Sequence, residues 1–327
     1  MNKIQLTIAI SDYEHVRDLT FGLVQPEGID LVRLNMPLEE IFWRFTRFRE
    51  WDISEMSFAN YTALISRGDD SMTAIPVFPS RAFRLSAVYL RRESGIAAPQ
   101  ELIGKRIGIP EWIETAGVYA RGYLAHHCGV SLDRIEWYQG GLTHIGREEK
   151  MAFDPPPGVQ IRRAERPLEE MLRAGEIEAI MTALEPSVFA RGEEWVTRFP
   201  NFQAAEEEYC LKTGIFPIMH LVVIRTEVLR SYPWVAMNMF TAFEEAKRRG
   251  LKRLFEVTAS RIPVAWSFLA GEKTRKFFTG EYWPYGIEPN RTTLEAFLQY
   301  AYEQGVAAKR LKPEDLFAKE TLSLFKI

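Results

Sequence analysis

The chain has 327 residues, of which 46% are hydrophobic and 26% are charged, as expected for a folded globular protein. Its 41 basic and 44 acidic residues give a formal net charge of −3, which excludes the strongly basic surface of a nucleic-acid-binding protein. No stretch has the length and apolar character of a membrane span, and the first residues lack the apolar run of a secretory signal. We therefore expect a cytoplasmic protein with no membrane or nucleic-acid partner. Its length favours two lobes, because a single hydrophobic core rarely serves so long a chain.

Strand-like and helix-like patterns alternate in the first part of the chain. KIQLTIAI and GIDLVRLNM are rich in β-branched residues and predict two strands. Apolar residues between Leu38 and Phe45 then recur at the spacing of one helical face. WDISEMSF predicts a third strand, which leads into a helix near Asn60.

A long extended passage follows, TAIPVFPSRAFRLSAVYLRR, which Pro76 and Pro79 are expected to break. The alternation of strand and helix then restarts at GKRIGIP. Such alternation is typical of βαβ units and predicts an α/β fold with mainly parallel sheets and a ligand cleft between two lobes. The predicted lobes are residues 1–88 plus 216–327 and residues 92–215.

Several stretches, spread in order over nearly the whole chain, resemble the 4,5-dihydroxyphthalate decarboxylase family. They are DYEHVRDLTFG, PEGIDL, EMSFANY, AIPVFPSRAFR, ELIGKRIGIPEW, TAGVYARG, LRAGEIEAIMTA, KTGIFPIMHLVVIR, WPYGIEPNR and QGVAAKRLKPEDLF. That family is similar to the type II periplasmic binding proteins, whose two-lobed fold agrees with the predicted order of elements. The resemblance implies the loss of CO2 from a hydroxylated aromatic acid, with a small aromatic carboxylate as the ligand and no organic cofactor.

Two histidines are candidates for the catalytic acid that such a reaction needs. Decarboxylation requires a ring hydroxyl that supplies electrons and an acid that protonates the ring carbon bearing the carboxylate. His220 stands at the mouth of the aliphatic strand LVVI, and histidine titrates near neutral pH. Its alternative role is structural, as a strand-end histidine bonded to a carbonyl. His15 follows the first strand and is the second candidate, with a surface position as its alternative.

A wider set of polar residues forms the predicted substrate-binding site. The candidates are Tyr13, Ser57, Asn60, Arg81, Arg84, Thr115, His144 and Glu185. A guanidinium can bind a carboxylate through two hydrogen bonds, but Arg81 and Arg84 are three residues apart, so at most one should face the ligand. Ser57 and Asn60 follow a predicted strand. Thr115 begins a helix whose free N–H groups attract anions, although a simple N-cap is equally expected.

The remaining polar groups favour no other chemistry. His144 lies in the glycine-flanked loop GGLTHIGREEK, where a surface position competes with a role in binding. Arg147 and Glu148 of the same loop predict a solvated run of charges. The spacing of histidines and acids matches no metal site, so we expect no metal ligand set. Whether copies of the chain form a homo-oligomer is left open.

Three functional hypotheses follow, and the first is favoured. It is a cytoplasmic carbon–carbon lyase that decarboxylates a hydroxylated aromatic acid. The alternative is a non-catalytic substrate-binding protein of the transporter type for a small aromatic or organic acid, which the lack of a signal sequence disfavours. A third hypothesis is another lyase or isomerase acting on a small cyclic acid. Because function depends on the site, the fold class alone does not choose among them.

The resemblance also predicts a preference among acids. The family pattern has a histidine where Leu85 stands, an arginine where Leu184 stands, and commonly an arginine at His15. With two polar groups replaced by leucine, the pocket should be less cationic and should prefer a single carboxylate to a phthalate. A lost arginine–carboxylate contact is worth about 1.5–3 kcal/mol. Calorimetry should therefore find a monocarboxylate that binds more tightly than 4,5-dihydroxyphthalate, and tighter binding of the phthalate would contradict this expectation.

Overall fold

The structure is a computed structural model, and it describes residues 3–256, 258, 263–278 and 280–322. The strands in this part of the chain are β1 (Ile4–Ala9), β2 (Ile29–Leu34), β3 (Ile53–Ser57), β4 (Met72–Arg81), β5 (Val88–Arg91), β6 (Arg106–Ile109), β7 (Glu136–Gln139), β8 (Ile161–Arg163), β9 (Ala179–Met181), β10 (Val196–Thr197) and β11 (Ile218–Arg225). The α-helices are α1 (Arg17–Thr20), α2 (Leu38–Phe48), α3 (Phe58–Ser66), α4 (Thr115–His127), α5 (Leu168–Ala174), α6 (Ser187–Ala190), α7 (Phe202–Thr213), α8 (Thr226–Ser231), α9 (Val235–Leu254), α10 (Ser267–Phe277) and α11 (Arg291–Glu303).

The described strands form two separate sheets. The first has the order β2-β1-β3-β11-β4, and the second has the order β10-β5-β9-β6-β7-β8. The chain crosses from the first sheet to the second between β4 and β5, and returns between β10 and β11. The restart of the alternation at GKRIGIP therefore coincides with strand β6 of the second sheet. Strand β5 already begins at Val88, inside the predicted first lobe, and the exact lobe boundaries stay a prediction.

Both sheets are mixed, and among the described strands parallel pairs outnumber antiparallel pairs only by five to four, so the sheets are less parallel than the sequence predicted. Strand β11 runs antiparallel to both β3 and β4, and β5 runs antiparallel to both β9 and β10. The parallel pairs are β1 with β2, β1 with β3, β6 with β7, β6 with β9, and β7 with β8. The described antiparallel pairs all involve β5 or β11, the strands with which the chain enters the second sheet and returns to the first. Local hydrophobic patterning cannot show the direction in which a strand enters a sheet.

The returning strand β11 lies between β3 and β4 in the first sheet and forms part of the main core. Its residues from Leu221 to Ile224 are fully buried, with relative exposures of 0%. Continuous aliphatic runs of this kind are typical of strands that are covered on both faces. His220 lies at the start of this run and is paired with Ser57 of β3. The strand thus fixes the histidine backbone against two neighbouring strands.

The two prolines of β4 do not end the strand, as the sequence suggested, but produce a bulge in it. His220 pairs with Ser80, whereas Val222 pairs with Ile75, so the four residues 76–79 of β4 lie opposite Leu221 alone. Proline has no N–H to give to the ladder, which is why it occurs in sheets at bulges. The bulged carbonyls find partners elsewhere, since the Gly286 N–H donates to Pro76 and the Trp283 indole donates to Phe78. Bulges of this type redirect nearby side chains.

Helix α9 packs tightly on the segment that follows β1. Its residue Gly250 lies so close to this segment that an added Cβ would stand 2.5 Å from the Cα of His15 and 2.8 Å from the carbonyl oxygen of Glu14. Arg253 of the same helix donates to the Glu14 carboxylate at 2.8 Å. Within the described residues, no helix, α9 included, combines the length and apolar character needed to cross a membrane.

Replacement of Gly250 by alanine should destabilise the protein, although the same change in an open helix would stabilise it by about 1 kcal/mol. The reason is the contact with backbone atoms, which cannot rotate away as a side chain can. We expect a loss of about 1–3 kcal/mol in the free energy of unfolding, measured by urea denaturation. The control is Lys252→Ala at an exposed position of the same helix. Equal stability of the two variants would contradict the close packing.

Candidate active site

A cavity of about 240 Å³ lies between the two sheets and is lined from both sides. The segments of the first sheet contribute Tyr13, Phe42, Ser57, Asn60, Ser80, Arg84 and His220. The segments of the second sheet contribute Glu111, Ile113, Glu114, Thr115, Arg147, Lys150 and Leu184. This is the position predicted for a ligand cleft. The side chains that line it include acids, bases and cations, so it can both bind an anion and transfer protons.

His220 is held by a buried carboxylate. The ring nitrogen Nδ1 of His220 lies 2.7 Å from Oε1 of Glu55, a β3 residue with no exposed surface. The same carboxylate accepts hydrogen bonds from the Tyr13 hydroxyl at 2.6 Å and from the Ser11 N–H at 2.9 Å. A buried carboxylate is tolerated only when donors compensate it, and Glu55 has three.

This arrangement leaves the second ring nitrogen of His220 available to a ligand. With Nδ1 donating to Glu55, the Nε2 atom has no hydrogen-bond partner among the described residues. The ring of Phe42 packs edge-on against the imidazole, with centroids 4.9 Å apart. A carboxylate behind one nitrogen and an aromatic ring against the face fix both the tautomer and the orientation. The geometry therefore suits His220 for proton transfer at Nε2.

Tyr13 supports this pair as a hydrogen-bond donor. Burial and the nearby charge of Glu55 raise the pKa of Tyr13 well above its ordinary value. The phenol therefore stays protonated at neutral pH and can only donate to the carboxylate. Its hydroxyl also lies 3.3 Å from Nδ1 of His220. Tyr13 lines the cavity as the sequence predicted, but its hydroxyl is engaged by Glu55.

Arg84 places a cation in the cavity without a matching anion. Its Nε donates to the sulfur of Met219 at 2.9 Å, and no carboxylate pairs with it among the described residues. Burial lowers the pKa of Arg84 below its ordinary value, although arginine remains charged in proteins. A half-buried guanidinium with free N–H groups favours an anionic ligand, and its planar fork suits a carboxylate.

Hydroxyl and amide groups close the cavity where the two sheets meet. The Ser57 and Thr115 hydroxyls lie 3.0 Å apart, and the Thr115 oxygen accepts a hydrogen bond from the Ala59 N–H. Thr115 is therefore not the N-cap of α4, a position that Glu114 occupies, but joins α4 to α3. The amide oxygen of Asn60 is buried with no partner among the described residues, so it can accept a hydrogen bond from a ligand hydroxyl.

The loop after β7 lines the cavity through Arg147 and Lys150. Glu111 is buried and binds Arg147 at 2.7 Å and Lys150 at 2.8 Å. Glu149 of the same loop accepts hydrogen bonds from the backbone N–H groups of Trp112 and Ile113. The prediction that Arg147 belongs to a solvated run was therefore wrong, because the loop folds back onto Glu111. Two more cations line the cavity as a result.

Glu114 differs from the other acids of the cavity because one of its oxygens is free. Its Oε1 accepts a hydrogen bond from the Ala183 N–H at 3.1 Å, whereas Oε2 is buried with no partner in the described part of the chain. Burial, helped by the nearby charge of Glu111, raises the pKa of Glu114 to about 7. The Ala183 N–H and the charges of Arg84 and Arg147 act in the opposite direction, and each has a smaller effect than burial. The carboxyl can therefore gain or lose a proton at neutral pH.

Two curated relatives agree with the predicted resemblance. A 4,5-dihydroxyphthalate decarboxylase from Comamonas testosteroni is 36% identical over 330 aligned residues, which span 100% of both chains. The chain belongs to the 4,5-dihydroxyphthalate decarboxylase family. A second enzyme of that name, from Pseudomonas putida, is 38% identical over 59% of this chain and 75% of its own. No protein-family model matches the chain. Both relatives are named as decarboxylases, which are lyases that act on carbon–carbon bonds.

Solved structures confirm the predicted fold class of this family member. The periplasmic aliphatic sulphonate binding protein SsuA from Escherichia coli aligns with 98% of this chain and 99% of its own, with a TM-score of 0.56 and 11% identity. The desulfurization enzyme DSZB aligns with 98% of both chains, with a TM-score of 0.53 and 12% identity. At such low identity the likeness concerns the fold alone. It is the periplasmic-binding-protein fold, with two mixed sheets.

Four predicted site residues lie outside the cavity of this family member. His15 packs against Trp283, with ring centroids 5.2 Å apart, and burial lowers its pKa to about 4, so it is neutral and turned into the core. Arg81 is buried and donates to the carbonyls of Phe216 and Pro284 rather than to a ligand. The other two are surface residues, and the spacing of residues in the sequence could not show that their side chains point to solvent. They are the exposed His144 and Glu185, the latter paired with Arg198.

The two leucines that depart from the family pattern occupy different places. Leu184 lines the cavity, whereas Leu85 is buried beside it in a small pocket with Tyr119 and Glu206. Of the two leucines on which the expectation of a weakly cationic site rested, only Leu184 lines the cavity. Against this expectation stand the three cations of the cavity, Arg84, Arg147 and Lys150. The preference for a single carboxylate stays a prediction.

Sequence reasoning missed the acids of the site. Glu55, Glu111 and Glu114 were not singled out, yet they lie beside the histidine and the cations. A signal existed for Glu55, because it is an acid within the strand ISEMS, all of whose residues are buried. An acid in such a strand requires a partner. The residues that compensate it lie 42 to 165 positions away, so only the folded chain identifies them.

The free carboxyl of Glu114 should make stability depend on pH. Its pKa rises from 4.5 to about 7 on folding, so the native state holds the extra proton and stability falls as pH rises through this window. Glu114→Gln keeps a side-chain oxygen that accepts the hydrogen bond from the Ala183 N–H, but the amide cannot gain or lose a proton in this pH range. The variant should gain stability relative to the parent between pH 5 and pH 8, by at most about 3 kcal/mol, measured by urea denaturation. The control is Glu148→Gln at an exposed position, and an equal difference at both pH values would contradict the burial of the charge.

Proposed function

We propose that this protein removes CO2 from a hydroxylated aromatic carboxylic acid of the 4,5-dihydroxyphthalate type. The observation that carries the proposal is the His220–Glu55 pair at the wall of an inter-sheet cavity, in a chain related over its full length to a decarboxylase. A cytoplasmic location and a reaction without an organic cofactor are part of the same proposal.

The proposed reaction uses His220 as the acid. A ring hydroxyl para to the carboxylate loses its proton, and the phenolate pushes electrons toward the ring carbon that bears the carboxylate. The protonated imidazole then donates its Nε2 proton to that carbon. The carbon–carbon bond breaks, CO2 leaves, and the electron pair of the bond restores the aromatic ring. Overall, one carboxylate and one proton become one aromatic C–H bond and CO2.

The surrounding residues supply charge and position. Glu55 lies where it compensates the positive charge of a protonated His220 ring. Arg84 is the group that would bind a ligand carboxylate, because its guanidinium has no ion-pair partner among the described residues. Positioning of this kind accounts for a large share of enzymatic rate enhancement. The buried acid behind the histidine is what separates this proposal from a simple binding protein.

The alternative is a non-catalytic protein that binds a small aromatic acid. The fold of SsuA supports this alternative, since that protein is named as a binding protein. Binding an anion needs Arg84 but does not need an oriented imidazole with a free nitrogen. Incubation with a panel of hydroxylated benzoates and phthalates, with CO2 release as the readout, separates the two. Tight binding without CO2 from any acid of the panel would favour the alternative.

Replacement of His220 by glutamine should remove turnover and spare binding. Glutamine keeps a polar side chain next to Glu55 but cannot act as an acid, and the loss of a general acid costs about 10²–10⁴-fold. We expect such a fall in kcat/KM for CO2 release, with the calorimetric affinity for the acid nearly unchanged. The control is His144→Gln, which changes an exposed histidine outside the cavity. Turnover that survives in His220→Gln would assign this histidine a structural role.

A further inference from the structure

The cavity contains a second proton-transfer group that the steps assigned to His220 do not use. Glu114 presents a buried oxygen, Oε2, with no hydrogen-bond partner among the described residues. Its other oxygen is fixed by the N–H of Ala183, so the carboxyl cannot turn away from the cavity without losing that bond. A buried acceptor without a partner costs free energy, and a ligand hydroxyl would satisfy it.

The proposed reaction needs such a group. An imidazolium that gives its proton to carbon cannot at the same moment take the proton of the ring hydroxyl. A separate base must hold that proton while the phenolate supplies electrons, and must return it afterwards. The best base at neutral pH is one whose pKa lies near 7, where it is partly ionised and still basic.

The other acids that line or adjoin the cavity are not free for this role. Glu55 already accepts hydrogen bonds from Ser11, Tyr13 and His220. Glu111 is neutralised by two cations, and Glu39 is paired with one of these and is largely exposed. Tyr13 keeps its own proton. Among the described acids of the cavity, Glu114 is the one whose buried oxygen, Oε2, has no hydrogen-bond partner.

We propose that Glu114 is the general base that takes the proton of the activating ring hydroxyl, opposite the histidine that protonates the ring. This inference rests on the proposed decarboxylase function. The hydroxyl proton passes to Oε2 of Glu114, and the Nε2 proton of His220 passes to the ring carbon. The carbon–carbon bond breaks and CO2 leaves. Glu114 then returns its proton to the phenolate oxygen, and His220 regains a proton from solvent.

Arg84 is the group that would position the ligand carboxylate relative to His220 and Glu114. It lines the same cavity as both groups, and its charge acts on Glu114. A carboxylate bound to Arg84 would therefore lie between a wall that carries the acid and a wall that carries the base. The aromatic ring of a hydroxylated acid has its carboxylate and its para hydroxyl at opposite ends. The proposal therefore requires that a bound ring contact His220 near its carboxylate end and Glu114 near its hydroxyl end.

The test compares two variants on two substrates. The substrates are the most active hydroxylated acid of the panel and a ring-fluorinated analogue of it, whose hydroxyl is more acidic. Glu114→Gln should lower kcat/KM about 10²-fold on the parent acid and much less on the fluorinated acid, which needs less help to lose its proton. His220→Gln should be equally impaired on both. Glu148→Gln, an exposed change in the adjacent loop, serves as the control.

The pH profile gives a second readout. The base acts in its ionised form, so kcat/KM of the parent protein should rise as pH increases through about 7. This rise of kcat/KM with pH, the limb of the profile, should be absent in Glu114→Gln and present in Glu148→Gln. Glu114→Asp should restore part of the rate and keep the limb.

Three results would overturn the inference. One is an equal loss for Glu114→Gln on both substrates, and another is an unchanged pH limb in that variant. In either case, continued CO2 release by the parent protein would leave the decarboxylase function intact. The third is the absence of CO2 from the parent protein with every acid, which would overturn the proposed function itself and the role of Glu114 with it.

Discussion

The Glu55 carboxylate has no contact with solvent, and the first wall of the cavity is organised around its compensation. A buried, uncompensated carboxylate would cost several kcal/mol, so its three donors must all be in place in the folded state. These donors come from the segment after β1 and from β11, whereas Glu55 belongs to β3. One side chain therefore ties together three parts of the chain that are far apart in sequence. The orientation of His220 is a consequence of this constraint.

The returning strand β11 explains why the histidine can reach the cavity. The strand lies between β3 and β4 with its aliphatic run fully buried, and the proline bulge of β4 lies beside its first residues. The bulged residues cannot continue the regular ladder, and segment 283–286 donates hydrogen bonds to their carbonyl oxygens instead. The edge strand β4 is therefore irregular at its bulge but still held by hydrogen bonds to the rest of the chain. A rigid strand end is where an accurately aimed side chain is most useful.

The charges of the cavity are divided between its two walls. The first wall carries His220 with its buried acid, and the second carries Glu114 and the group formed by Glu111 and its cations. Arg84 follows the bulged strand and has no carboxylate partner among the described residues. Each wall belongs to a different sheet, and His220 and Glu114 line the same cavity from these two walls. Ligand binding and proton transfer therefore depend on the same relative placement of the sheets.

The sequence alone determined the family, the fold class and several of the strands and helices in their order. Hydrophobic periodicity is a local property, so β1, β2, α2 and α4 could be placed from their residues. Ser57, Asn60, Arg84, Thr115 and His220, which the sequence suggested as site residues, all line the cavity, and their roles in binding and catalysis stay predictions. Tertiary structure decided which faces these residues present. It turned Arg81 into the core while Arg84 stayed in the cavity, since the direction of each side chain depends on the bulge of β4. It also brought Glu55 and Glu114 to the site, because the burial and the free lone pairs that make them chemically useful arise only when distant segments pack together.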